Sequence, residues 1–96
     1  MSIVVHTKNG CKFCELVKEF LTNKNIPYIV VHYDPLLTNY DKMKNKLMNK
    51  TNHITFPQLF VGEVFIGGYT ELVSAYETCK LHELCQEIGV IVEYDF

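Results

Sequence analysis

Apolar residues fall along this chain in short runs whose spacing changes from one stretch to the next. Ile3-Val4-Val5-His6-Thr7 is rich in β-branched side chains and stops at Asn9-Gly10, which reads as a strand followed by a turn. Phe13, Leu16, Val17, Phe20 and Leu21 then recur at three- and four-residue steps, with Glu15, Lys18 and Glu19 on the other face. That is the period of an amphipathic helix. Asn23 and Asn25 end it, and Pro27 cannot continue it. Tyr28 to His32 is mostly apolar, the pattern expected of a strand covered on both faces.

Asp34-Pro35 breaks that strand. Thr38 to Lys50 reads as a lysine-rich, solvated helix with Tyr40, Met43, Leu47 and Met48 turned inward. Gln58 to Val61 and Val64 to Ile66 are two short strands around Gly62-Glu63, a two-residue hairpin turn with glycine first. After Gly67-Gly68, a helical stretch opens at Tyr69-Thr70-Glu71 and packs Leu72, Val73 and Tyr76 inward. Leu81, Leu84 and Ile88 prolong its apolar face, and Gly89 ends it. Val90 to Phe96 reads as an extra edge strand or a loose tail.

The order β-α-β-α-β-β-α(α) predicts an α/β protein. The first βαβ unit pairs its strands in parallel through a right-handed crossover. The later hairpin adds antiparallel strands, giving a four-stranded mixed sheet with helices on both faces. Residues 1–96 read as one domain, without repeats or linkers.

Composition narrows the function. The hydrophobic share is 48%, enough for a core without metal or disulfide staples. Nine lysines, no arginine and eleven acidic residues give a formal charge of −2, a poor match to phosphate backbones, so no nucleic-acid partner is expected. The first apolar run is too short for a signal-peptide core, and nothing approaches the ~18 apolar residues of a membrane helix. The expected location is the cytoplasm. There, four cysteines read as chemistry and not as a disulfide framework.

Cys11-Lys12-Phe13-Cys14 lies where a strand ends and a helix begins, inside a βαβ pattern. Two intervening residues put both sulfurs within one helical turn, close enough to form a disulfide and reopen it. Cys11 faces the unpaired N–H groups and positive end of the helix, which favour thiolate over thiol. Lys8 and Lys12 add positive charge nearby. Cys14, three residues further in, is the shielded, resolving thiol. A structural zinc site needs a second such pair, and Cys79 and Cys85, six apart on a helical stretch, do not supply one. No metal is expected, and those two read as buried small hydrophobes.

With these features in place the chain resembles the glutaredoxin family of the thioredoxin fold over nearly its whole length. Four features carry the resemblance in order: Lys8 three residues before the first cysteine, Cys11–Cys14, Thr55-Phe56-Pro57, and Gly67-Gly68-Tyr69-Thr70-Glu71. The resemblance implies a cis bond before Pro57 that holds the backbone of Phe56 beside the cysteines, free to pair with an extended peptide. It implies glutathione as reductant. Tyr69, Thr70 and Glu71 would take the γ-glutamyl end on the amides of a helix start, and Lys8 the glycine carboxylate. Phe13, Phe56 and Pro57 complete that set. The chain departs from the family's usual Cys-Pro-Tyr-Cys: Phe13 keeps an aromatic face without a hydroxyl, and Lys12 replaces a rigid proline with a charge. Phe56 stands where a smaller valine is usual, and Glu71 where aspartate is commoner.

The leading expectation is a monomeric dithiol glutaredoxin reducing protein disulfides and glutathionylated proteins. One alternative is a thioredoxin-like electron donor to ribonucleotide reductase, fed by a flavoprotein reductase. The other is an iron–sulfur cluster-binding protein holding the cluster through Cys11 and bound glutathione, since loss of the motif proline makes room for one.

Overall fold

The computed structural model describes residues 1–94; Asp95 and Phe96, the end of the expected tail, lie outside the described residues. Eight elements follow one another: β1 (Ile3–Lys8), α1 (Lys12–Asn23), β2 (Ile29–Tyr33), α2 (Tyr40–Thr51), β3 (Gln58–Val61), β4 (Val64–Gly67), α3 (Tyr69–Glu77) and α4 (Lys80–Glu87). The sheet runs β2-β1-β3-β4. β1 and β2 are parallel, with Val4 opposite Ile29 and Lys8 opposite Tyr33. β3 is antiparallel to both β1 and β4. This is the four-stranded mixed sheet that the element order predicts, in the thioredoxin-like arrangement that the resemblance implies.

Alternation along the strands separates two cores. Ile3 and Val5 of β1 with Leu59 and Val61 of β3 face one way, against Val17 and Leu21 of α1, Leu72 of α3 and Leu81 of α4. Phe60 and Tyr33 face the other way, against Leu47 of α2. Both sides of the central strands are therefore covered, and all four residues of β3 are buried. A fully buried Leu side chain contributes roughly 1.5–3 kcal/mol relative to exposure, so the first cluster supplies most of the apolar burial.

The expectation for the second strand fails. β2 lies at the sheet edge, and Ile29 and Val30 are exposed. A continuous apolar run does not distinguish a buried strand from an edge strand whose outer half meets water. The last helical stretch is two helices: Cys79 takes a left-handed backbone (φ 63°) between α3 and α4. Cys79 is accordingly half-exposed and not the buried hydrophobe expected, while Cys85 is fully buried. The tail forms no strand from Val90 to Tyr94. It docks instead: Val92 is buried in the first core, His82 Nε2 lies 3.2 Å from Glu93 O, and the His82 ring stacks on Tyr94 at 4.3 Å. At the hairpin, Gly62 carries the positive φ (59°) and Glu63 does not, which is the glycine-first turn the sequence calls for. Among the described residues no helix is long and apolar enough to cross a membrane.

This topology sends the chain ends that matter to one place. β1 and β2 finish there, β3 begins there, and β4 finishes there, because β3 runs opposite to its neighbours. The turn before α1, the segment between α2 and β3, and the start of α3 therefore meet at one end of the sheet.

Candidate active site

Cys11 is the N-cap of α1, with an extended backbone (φ −107°, ψ 106°). Capping needs an acceptor side chain, and sulfur takes that role here: the Cys14 N–H donates to Cys11 Sγ at 3.2 Å. The thiol in turn donates to the carbonyl of Phe56 at 3.8 Å, a long contact suited to sulfur. Both partners are backbone groups, so they do not move independently of the fold. Cys11 is partly exposed and Cys14 fully buried, and both are free thiols.

Burial pushes the Cys14 thiol up to about 12, and a hydrogen bond and charge at Cys11 push the same way; a backbone hydrogen bond from Lys8 opposes them. Low-dielectric surroundings disfavour the thiolate because they cannot solvate it. Cys14 therefore keeps its proton at neutral pH.

Phe56 reaches Cys11 through the peptide bond between Phe56 and Pro57, which is cis, as the resemblance implies. The segment ahead of it is tied down by Gln58. This fully buried side chain donates from Nε2 to the carbonyls of His53 (3.0 Å) and Thr55 (3.2 Å). Helix α2 stops because Asn52 turns left-handed (φ 57°), and Thr51 Oγ1 accepts the His53 N–H at 3.2 Å. The Phe56 ring packs on Tyr33 at 5.1 Å.

On the far side of Pro57 opens a cleft of about 160 Å³. Six of the seven side chains expected around glutathione line it: Phe13, Phe56, Pro57, Tyr69, Thr70 and Glu71. Phe13 was also expected on the apolar face of α1. It is 54% exposed instead, and its ring faces Tyr69 at 6.2 Å across the cleft. Lys8, the seventh, stands apart, with Nζ 5.9 Å from the centre of the Phe56 ring.

Helix α3 begins at Tyr69, and Leu72 N–H makes the first helical bond, to Gly68 O at 3.0 Å. The amides of Tyr69, Thr70 and Glu71 precede that bond and have no acceptor within the helix. The Glu71 carboxylate does not extend outward. It folds back to accept the Gly68 N–H at 2.7 Å, capping its own helix. Gly67 makes room for this: its φ is +123°, and a Cβ there would lie 2.7 Å from Glu71 Oε1.

Three further residues line the cleft, His53, Thr55 and Gly68, for which the sequence pattern predicts no binding role. Thr55 and Gly68 sit inside quoted motifs. His53 carried one readable signal, the asparagine before it, which ends α2 and places it in the loop leading to Pro57. Its ring rests edge-on against Phe65 at 5.2 Å.

The glutaredoxin family model matches residues 3–66. Human mitochondrial glutaredoxin-2 is 31% identical over 85 residues, covering 88% of this chain and 51% of the relative. This chain thus spans about half the length of that relative. The glutaredoxin of Vernicia fordii is 30% identical over 90 residues, covering 94% of this chain and 86% of its own. Among solved structures, the buckwheat glutaredoxin–glutathione complex superposes with a TM-score of 0.84 at 26% identity, over 95% of this chain and 82% of that one. The holo form of poplar glutaredoxin C1 gives 0.82 at 29% identity, over 98% and 84%.

Proposed function

The chain belongs to the glutaredoxin family, and from that premise we propose that it is a glutathione-dependent thiol–disulfide oxidoreductase working through Cys11. The observation that carries the reading is the sulfur of Cys11 capping α1, accepting the Cys14 N–H at 3.2 Å beside the cleft-lining Phe56.

With a glutathionylated protein as substrate, the Cys11 thiolate attacks the glutathionyl sulfur. A disulfide forms between Cys11 and glutathione, the original S–S bond breaks, and the protein sulfur leaves as a thiolate that takes a proton from water. A second glutathione thiolate then attacks the bound glutathionyl sulfur. Glutathione disulfide departs with the two electrons' worth of oxidation, and Cys11 returns to its thiolate.

A protein disulfide enters at the same sulfur and leaves by way of Cys14. Two of the influences holding Cys14 in its thiol form come from Cys11, and both end once Cys11 is tied up in a mixed disulfide. Cys14 then ionises more readily at the step that needs it, giving up its proton to the departing substrate thiolate. The Cys11–Cys14 disulfide that results is reopened by two glutathiones.

The cleft suits the γ-glutamyl end of glutathione, which carries an ammonium and a carboxylate on one carbon. The free amides at the start of α3 match the carboxylate, and the Glu71 carboxylate matches the ammonium. Phe13 and Tyr69 flank the tripeptide, and Lys8, on the Phe56 side, matches the glycine carboxylate. Support also comes from the buckwheat relative, solved as a glutathione complex.

The test is turnover of a glutathionylated peptide with glutathione and glutathione reductase, run beside a flavoprotein thioredoxin reductase as electron source. Glutathione-driven turnover is expected. Cys11→Ser abolishes it, while Cys14→Ser keeps it and loses reduction of a protein disulfide. Turnover only with the flavoprotein would overturn the assignment of glutathione.

A further inference from the structure

On the opposite side of the sheet from α1, a larger groove of about 420 Å³ lies between α2 and strands β1 and β3. Its floor is apolar: Val4 of β1, Leu47 of α2 and Phe60 of β3. One wall is cationic. Lys46 and Lys50, one helical turn apart on α2, line it, and no aspartate or glutamate does. Neither lysine forms an ion pair among the described residues. The bias extends along the helix, which carries four lysines against one aspartate.

The polar groups inside are fixed in place. His6 Nδ1 and the Tyr33 hydroxyl lie 2.8 Å apart, and the His6 ring meets the edge of Phe60 at 5.4 Å. The Lys50 ammonium stands 5.2 Å from the centre of the Phe60 ring, over the floor itself. Its charge is felt within the groove: burial first, and Lys50 second, hold the His6 imidazole below its ordinary value. The volume lies in the range of small-ligand sites, and an apolar floor with a few convergent polar groups is their usual make-up.

We propose that this groove between α2 and the sheet is a second binding site, taking a small apolar molecule with one anionic head group, its body on Val4, Leu47 and Phe60 and its head between Lys46 and Lys50. None of these residues belongs to the cysteine site. The two sites are nevertheless neighbours, because Tyr33 lines the groove and packs on Phe56. The anion requirement separates this site from a merely greasy surface, since Lys46 and Lys50 are exposed on the groove with no acidic side chain lining it to neutralise them.

A two-dimensional amide NMR titration with 2-naphthoate, using the full chain, tests this, with 2-naphthylmethanol as the neutral isostere. Saturable shifts are expected at Val4, Leu47 and Phe60. Affinity should fall roughly tenfold or more for the alcohol, and equally for naphthoate with Lys46→Gln/Lys50→Gln, whose spectrum also reports that it is folded. Equal binding of acid and alcohol, shifts confined to Thr70 and Glu71, or no saturable shift would each overturn the proposal. The assay involves no sulfur chemistry, so its outcome is independent of the redox reading. Glutathione-driven turnover of the double variant is expected to match that of the unaltered chain.

Discussion

Burial sets Cys14 near 12 in the reduced protein, and that places a measurable asymmetry between two thiols three residues apart. Iodoacetamide reacts with thiolate, so at neutral pH Cys11 is expected to be alkylated first and Cys14 to stay unmodified in folded protein. Peptide mapping after brief alkylation reads this directly; faster labelling of Cys14 would contradict the division of labour. Lys8 is the other residue whose role is separable. An exposed ammonium contributes to an anionic substrate mainly through its charge and is screened by salt. Lys8→Met is therefore expected to raise KM for a glutathionylated peptide several-fold at low salt, with kcat little changed, and the difference should shrink at high salt. A fall in kcat at constant KM would show that Lys8 acts on the reacting sulfur instead.

Among the elements, α3 depends on its first turn. Glu71 caps it through the Gly68 N–H and in the same position faces the cleft. Removing the carboxylate in Glu71→Ala is expected to cost ~0.3–1.5 kcal/mol of stability by chemical denaturation. Glu71→Gln keeps an acceptor and should recover most of that. If the carboxylate also pairs with the ammonium of a γ-glutamyl group, Glu71→Gln recovers stability without recovering KM, and that split separates capping from binding. The loop before β3 has a comparable dependence on Gln58, whose amide holds the carbonyls of His53 and Thr55. Gln58→Leu preserves bulk but frees both carbonyls. A loss of about 1–3 kcal/mol is expected, with weaker substrate binding because the residues it anchors line the cleft.

For the whole molecule, the buried acids set an alkaline limit. Cys14 is raised to about 12 and Cys85 to about 11, both chiefly by burial, and burial raises Tyr33 as well. Their unfolded forms lose protons first as pH rises. The stability they contribute is complete below about pH 9 and is lost as pH climbs toward the folded values, at up to ~1.4 kcal/mol per pH unit for each group. Urea midpoints compared at about pH 8 and about pH 10.5 should show this loss, and the slope should be shallower in Cys14→Ser, which has no thiol to titrate. At the acid end the sign reverses for His6. Its lowered value means that the unfolded chain binds the proton more readily, so this contribution is lost as pH falls below 6.5.

Local pattern was enough to place each strand and the first two helices to within a residue or two, because a period of two or of 3.6 and a Gly, Pro or Asn stop are written in adjacent residues. It also put Cys11 at a helix start, since strand, turn and amphipathic run follow directly on one another there. What neighbouring residues do not encode is what lies across the sheet. Ile29 and Val30 read as part of a strand covered on both faces but lie exposed at the sheet edge, because an apolar run reads the same in either place until the partner strands are known. Phe13 fits the apolar stripe of α1 by spacing, yet it turns outward to Tyr69 because the start of α3 is packed there. Cys79 reads as helical by its neighbours, yet it takes the left-handed backbone at which α3 gives way to α4. The contact of Cys11 with Phe56, beside the cleft that His53 and Glu71 line, follows from strand direction: β3 runs against β1, so segments more than forty residues apart end up at one edge, where the Phe56 carbonyl meets the Cys11 sulfur.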